Sequence, residues 1–288
     1  MDIRTILVGA SGGAASEGAI DLACRLAIAF GAHLEALHVK ADPRSLADFS
    51  DGAIGMVTAG DIFDKFVADT DELAAKTQAS FRSALTRHGL PIAEAPAAAK
   101  DAASAAWRED TGEGATLLAR RARFFDLVIL GRSDRVLDQP HSQAVEQTLL
   151  ESGRAIILAP GEVGVEIGAT IAIGWNGSPG SVRAVTAALP LLARARRVLL
   201  VTVGEENEED VAGALEWLGW RGIAATRIAV PSVAGVRPGV GLLAGAREAG
   251  ADLLVMGAFG RRPWREHFFG GATAEIAKTS LLPLLLAH

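Results

Sequence analysis

Residues 5–13, TILVGASGG, recur as TIAIGWNGS at residues 170–178, an offset of 165 positions. Each copy is a short apolar run that ends in a glycine-rich turn and is followed by a helical pattern of apolar residues. A second pair, DLVILG from Asp126 and DLLVMG from Asp252, repeats at an offset of 126. A third pair, ESGRAIILAP and TSLLPLLLAH, repeats at an offset of 128. Three blocks in the same order indicate a tandem duplication of one unit.

The duplication divides the 288-residue chain into two domains of ordinary size. We assign residues 1–160 to the first domain and residues 169–288 to the second, with a linker at 161–168. The fall in offset from 165 to 126 places 39 additional residues in the first domain, most of them between Lys40 and Asp71.

Short apolar runs alternate with helical periodicity, and strands that are apolar on both faces are typical of a parallel sheet covered by helices. We therefore predict an α/β fold of two tandem doubly wound domains, each a five-stranded parallel sheet with helices on both faces. The predicted strands lie near 3–8, 33–39, 92–95, 127–131 and 155–158, and near 170–174, 198–203, 224–230, 253–257 and 284–287. The predicted helices lie near 16–30, 71–88, 115–122 and 144–150, and near 181–195, 209–220, 242–249 and 273–279.

Composition argues against several classes of protein. A formal net charge of −6 disfavours nucleic acid or an anionic membrane surface as a general partner. No apolar run reaches the ~20 residues that span a bilayer, and the N-terminus has no signal-peptide layout, so we expect a cytoplasmic protein. The single cysteine, Cys24, excludes an intramolecular disulfide, and its apolar helical surroundings predict a buried side chain.

Two strand ends of the second domain carry glycines in a pattern that favours phosphate binding. The first strand ends in GWNGS from Gly174, and the fourth ends in GAFG from Gly257. The spacing continues as G-x2-G-x9-G-G to Gly270 and Gly271, and a predicted helix begins at Thr273. Ligands of doubly wound sheets bind at such strand ends, glycine permits close main-chain approach, and helix N-terminal amides bind anions. Tight turns alone are the alternative interpretation, because the chain contains 32 glycines.

This loop and the duplicated architecture resemble the universal stress protein family over nearly the full chain. The loop from Gly257 is similar to the family's ATP-binding pattern G-x2-G-x9-G-(S/T). The resemblance implies a Rossmann-like fold of the adenine nucleotide alpha hydrolase-like type. It also implies an ATP-binding regulatory protein of the stress response, with Mg²⁺ as a candidate partner ion and little or no catalysis. Many family members bind ATP, and others do not.

The resemblance also implies a set of cofactor-binding residues. Asn176 would contact the nucleoside in place of the family's usual acidic residue, and Val203 would present its backbone to adenine. Gly271 stands where the pattern has Ser or Thr, so one hydroxyl contact is lost. The implied site residues are Gly174, Asn176, Val203, Met256, Gly257, Gly260, Gly270, Gly271, Ala272 and Thr273.

The first domain lacks this loop. Its fourth strand ends in GRSD, which puts Asp134 at the second glycine position, and the closing glycine pair is missing. A carboxylate there would repel phosphate at close range, so we expect the first domain to bind no nucleotide. The segment SGGAAS at residues 11–16 is similar to the PP-loop SGGxDS of ATP pyrophosphatases, but Ala15 replaces its aspartate.

Two alternatives to a nucleotide-binding regulatory protein stay open. A stress-linked interaction protein that binds no nucleotide is favoured by Gly271 and by the degenerate first domain. An ATP pyrophosphatase-type enzyme is disfavoured by Ala15. No Ser/His/Asp arrangement and no metal-ligand cluster is recognisable in the sequence.

The apolar terminal strand of each domain would be an exposed sheet edge, which invites pairing. Members of the family commonly dimerise through this strand. We therefore expect the two domains to pair with each other as an internal pseudo-dimer, and a homodimer of the whole chain is left open.

Overall fold

The computed structural model describes residues 2–43, 56–94, 102–132, 139–161, 167–258, 276 and 280–288. Strands and helices alternate along the chain in two similar series. The first series is β1 (Thr5–Gly9), α1 (Gly13–Phe30), β2 (His33–Lys40), α2 (Met56–His88), β3 (Ser104–Thr111), α3 (Gly114–Ala122), β4 (Leu127–Gly131), α4 (Gln139–Glu151) and β5 (Ile156–Ala159). The second is β6 (Thr170–Gly174), α5 (Pro179–Leu192), β7 (Arg197–Val203), α6 (Glu208–Gly219), β8 (Ala225–Val230), α7 (Pro238–Glu248), β9 (Leu253–Gly257) and β10 (Leu284–Ala287).

The ten strands form one sheet, in the order β3-β2-β1-β4-β5-β10-β9-β6-β7-β8. Neighbouring strands within each half are parallel, and the chain order reverses between β1 and β4 and again between β6 and β9. The exception is the central pair, β5 and β10, which is antiparallel with Ile157 opposite Leu285. The predicted α/β class is confirmed, and the two five-stranded halves are continuous in a single, mostly parallel sheet.

Helices cover both faces of the sheet. The face that packs against α1, α2, α5 and α6 forms one hydrophobic cluster, and the face that packs against α3, α4 and α7 forms a second. Each cluster contains residues of both halves, so the core continues across the junction. None of the described helices combines the length and hydrophobicity needed to cross a bilayer.

The repeated aspartate of the second sequence block has a structural role in both halves. Asp252 precedes β9, and its carboxylate accepts hydrogen bonds from the amides of Gly168, Ala169 and Thr170 at 2.7, 3.0 and 2.9 Å. Asp126 accepts bonds from the amides of Arg4 and Thr5, both at 2.9 Å. Each aspartate therefore ties the start of the first strand of its half to the fourth.

We expect Asp126→Ala and Asp252→Ala to lower the free energy of unfolding by about 1.5–3 kcal/mol each, because each removes hydrogen bonds to a charged acceptor. Urea denaturation of the full chain measures this change. Asp64 is exposed on α2, so the control Asp64→Ala should stay within about 0.5 kcal/mol of the unsubstituted protein. Equal effects of all three substitutions would contradict the assigned role.

Two elements of the first half differ from the sequence-based prediction. The third strand is β3 at Ser104–Thr111 and not the predicted segment 92–95. In that segment, Ile92 makes only an isolated bridge to Ala105. Prolines at 91 and 96 flank the predicted segment and cannot donate to a strand ladder, whereas β3 is a polar edge strand without an apolar signal. The second helix, predicted at 71–88, begins at Met56, so part of the additional segment is helical.

The other predicted elements agree with the structure to within a few residues where they are described. The final helix, predicted at 273–279, lies outside the described residues except for Ile276, which is helical. Cys24 is fully buried, as predicted. Burial, and next the nearby Asp21 carboxylate, raise the pKa of its thiol to about 12. The thiol is therefore protonated at neutral pH, and the residue acts as a small apolar side chain.

Candidate functional site

A cleft opens at the carboxyl ends of β6, β7 and β9, where the strand order of the second half reverses. Gly174 on β6 lies between Val201 on β7 and Met256 on β9 in the sheet register, and these residues form its floor. The first residues of α7, Pro238 and Gly239, form part of its wall. We call this space the second cleft.

The structure brings five of the ten residues expected at the site into the second cleft. They are Gly174, Asn176, Val203, Met256 and Gly257. The other five lie outside the described residues. They are Gly260, Gly270, Gly271, Ala272 and Thr273.

Gly257 and Gly131 at the strand ends are required by packing against backbone, whereas Gly174 faces a side chain that can move. A Cβ atom at Gly257 would lie 2.5 Å from the carbonyl carbon of Gly180 and 2.8 Å from the amide of Ser181. A Cβ atom at Gly174 would lie 2.6 Å from a methyl group of Leu242 on α7. In the first half, a Cβ atom at Gly131 would lie 2.2 Å from the carbonyl oxygen of Ala15. Gly257 and Gly131 let a helix N-terminus approach the sheet in both halves, so they do not distinguish a nucleotide-binding half.

We expect Gly257→Ala and Gly131→Ala to destabilise the protein by about 1–3 kcal/mol each, because the added methyl group meets backbone that must shift. Chemical denaturation of each variant measures the effect. The matched control is Gly213→Ala on α6, where the new Cβ atom meets no neighbour within 4 Å. This control should be neutral or stabilising by up to about 1 kcal/mol. A neutral Gly257→Ala variant would show that the close approach is not tight.

Asn176 is partly engaged by its own turn. Its Oδ1 accepts hydrogen bonds from the hydroxyl of Ser178 at 2.6 Å and from the amide of Ser178 at 3.2 Å. Ser178 in turn caps α5, because its hydroxyl oxygen accepts from the amide of Ser181 at 3.3 Å. The amide group of Asn176 therefore offers a ligand N–H donors, whereas the acidic residue usual at this position would offer acceptors.

The second cleft has a polar end and a glycine end. At the polar end, β7 ends at Val203 and the half-buried Glu206 follows it. At the glycine end, β9 ends at Gly257. Because β6 separates these two strands, the ends of the cleft are about 10 Å apart, two interstrand spacings. Two unit charges at that distance interact by about 0.4 kcal/mol in water and by about 1.7 kcal/mol at the effective dielectric constant of about 20 that applies near a protein surface. An anion near β9 would therefore be compatible with the Glu206 carboxylate.

Several lining residues were not predicted from the sequence. They are Trp175, Ser178, Gly180, Val201, Glu206, Pro238, Gly239, Leu242, Ala258 and Ile276. Most of them belong to turns and helix starts that the topology brings to the strand ends. Pro238 could have indicated the start of α7 in the sequence, because proline is frequent in the first turn of a helix.

The first half contains an equivalent cleft, which we call the first cleft. It is formed by Gly9 at the end of β1, Leu37 and Val39 on β2, and Gly131 at the end of β4, with Glu113 at the start of α3. Its volume is about 440 Å³, against about 180 Å³ for the second cleft. The expected loss of nucleotide binding in the first half therefore does not come from a lack of space.

The two clefts differ in charge where a helix N-terminus faces them. Glu113 is the N-cap of α3, and its carboxylate accepts a hydrogen bond from the amide of Thr116 at 2.8 Å. The corresponding N-cap of α7 is Arg237, which forms no side-chain cap bond. A carboxylate thus occupies the anion-favouring position of α3, whereas a cation flanks that of α7. Asp134, the other acidic residue expected in the first half, lies outside the described residues.

The described residues contain no group of three or more His, Cys, Asp or Glu side chains that could hold a metal ion.

Residues 169–288 match the model of the universal stress protein family. A universal stress protein from Archaeoglobus fulgidus has a similar fold over all of this chain and 99% of its own, with 14% identity and a TM-score of 0.70. A putative universal stress protein from Pseudomonas aeruginosa is 13% identical over 99% of this chain and 93% of its own, with a TM-score of 0.54. The sequence matches no curated protein.

The match to the family model covers residues 169–288 alone. The full-length likeness to the Archaeoglobus structure shows that both halves together share the fold of that protein.

Proposed function

We propose that the protein binds an adenine nucleotide, ATP in the first instance, in the second cleft and acts as a regulatory protein with little or no catalysis. The observation that carries the proposal is the convergence of Asn176, Val203 and Met256 at one strand-order reversal within the family-matched half. Ligands of open α/β sheets bind at such a reversal. The expected cytoplasmic location is part of this proposal.

The shape of the second cleft suggests an orientation for the nucleotide. The base and ribose would lie toward the end of β7, where the Glu206 carboxylate can accept hydrogen bonds from hydroxyl or amine groups. The phosphates would lie toward the end of β9, next to the Gly257–Gly271 segment and away from Glu206. Mg²⁺ would then accompany the phosphates, because it binds phosphate oxygens and retains water ligands.

We also propose that the two halves form an internal pair in which one cleft binds nucleotide. A two-fold axis between the halves would place repeat-equivalent residues opposite each other. Ile157 and Leu285 are repeat-equivalent and are direct partners in the β5–β10 register. Arg194, equivalent to Ala29, donates a hydrogen bond to the carbonyl oxygen of Ala29 itself. Both contacts support an approximate two-fold relation between the halves.

We expect isothermal titration calorimetry of the full chain with Mg-ATP to give one site per chain. Val203→Phe should abolish binding because the larger side chain fills the second cleft. Its matched control is Val39→Phe, because Val39 lines the first cleft and likewise lies on the second strand of its half. This control should leave both the affinity and the stoichiometry unchanged.

A second variant tests the loop outside the described residues. Gly270→Val should weaken binding steeply with little change in melting temperature, because a branched side chain would block the phosphate. Two sites per chain, or a Val39→Phe variant that binds less ATP, would contradict the assignment to the second cleft. No binding at millimolar ATP would favour an interaction protein that uses no nucleotide.

A further inference from the structure

Arg132 connects the two halves at the edge of the first cleft. It follows β4 directly after Gly131, and its amide donates to the carbonyl oxygen of Ala159 at 2.7 Å. Its side chain is buried, and its Nη1 donates a hydrogen bond to the main-chain carbonyl oxygen of Ser280 in the second half. A buried guanidinium from one half thus reaches the backbone of the other.

Ser280 is hydrogen-bonded to a residue that lines the second cleft. Its amide donates to the carbonyl oxygen of Ile276 at 2.8 Å. Ile276 is helical and lines the second cleft. A hydrogen bond from a charged donor such as a guanidinium to a carbonyl group is stronger than one between neutral groups.

The contact between Arg132 and Ser280 has no equivalent made by the repeat-related residue of the second half. The position equivalent to Arg132 in the second half is Ala258, whose amide makes the equivalent bond to the carbonyl oxygen of Ala287 at 2.8 Å. Alanine has no group that could reach across the junction. The first half therefore holds Ser280 of the second half through a side chain that has no counterpart at the equivalent position, Ala258.

We propose that Arg132 is a positioning residue for the second cleft, supplied by the half that we expect to bind no nucleotide. By fixing the carbonyl group of Ser280, it sets the position of Ile276 and so of the cleft wall. The first half would then be needed to complete the ligand site of the second. This inference rests on the nucleotide site proposed above.

A second arginine crosses the junction and provides a matched control. Arg194 donates to the carbonyl oxygen of Ala29, and its guanidinium carbon lies 4.1 Å from the centre of the Phe30 ring. This contact joins the ends of α1 and α5, and neither Arg194 nor its partners line the second cleft. A general weakening of the junction should follow from either substitution, whereas a change at the cleft should follow only from substitution of Arg132.

The test compares Arg132→Met, Arg132→Lys and Arg194→Met in the full chain, with ATP affinity measured by calorimetry. Displacement of Ile276 from the wall of the second cleft should make ATP binding about tenfold weaker or more in Arg132→Met. Lysine can still donate to the carbonyl group, so Arg132→Lys should recover most of the affinity, and Arg194→Met should match the unsubstituted protein. If Arg132→Met does not fold, Arg132→Gln replaces it, because glutamine keeps an N–H donor but lacks the cation, and a loss of affinity smaller than that expected for methionine is then predicted.

Hydrogen exchange without nucleotide gives an independent measurement of the same contact. Exchange at the Ser280 amide should be faster in the neutral Arg132 variants and unchanged in Arg194→Met. Unchanged ATP affinity in the neutral Arg132 variants, or an equal loss in Arg194→Met, would overturn the role of Arg132 and leave the nucleotide site standing. Absence of ATP binding by the unsubstituted protein would instead overturn the nucleotide site itself.

Discussion

The antiparallel pairing of β5 with β10 is the contact on which the rest of the structure depends. Each of these strands would otherwise be the open edge of a five-stranded sheet, with apolar residues on both faces and unpaired backbone groups. Their pairing makes ten strands one sheet and continues both hydrophobic clusters across the junction. It also brings the segment after β4 beside the segment before β10, where Arg132 meets Ser280.

Within each half, the absence of side chains at the strand ends allows helices to approach the sheet closely. Gly131 and Gly257 occupy the same place in the two halves, and they lie against the first turns of α1 and α5, respectively. The clefts therefore share their framework, but the N-cap residues of the helices that face them differ in charge. Glu113 caps the helix that faces the first cleft, whereas Arg237 stands at the corresponding position of the second.

The repeat made much of the fold predictable, because apolar strand blocks and helical periodicity survive in both copies. The sequence failed to predict β3 because an edge strand exposed to solvent carries polar residues such as Arg108 and Glu109 in place of an apolar run. The early start of α2 was missed because its first turns lie in the insertion that has no counterpart in the second half. Both failures concern segments to which the repeat gives no guidance.

The candidate site was predictable only where a residue belongs to a strand end. Gly174, Val203 and Met256 follow from strand positions, but Glu206 and Ile276 reach the second cleft through turns and helix packing that no spacing in the sequence encodes. The contact of Arg132 with Ser280 could not be predicted from the sequence for a related reason. Arg132 lies 148 residues from Ser280, and only the β5–β10 pairing brings the two together.

A crystal structure of the full chain with a hydrolysis-resistant ATP analogue tests the central claim most directly. The account predicts analogue density in the second cleft alone, with the base near Val203, the phosphates beyond Gly257, and the first cleft without analogue. Density for the analogue in the first cleft, or phosphates placed beside Glu206, would contradict it.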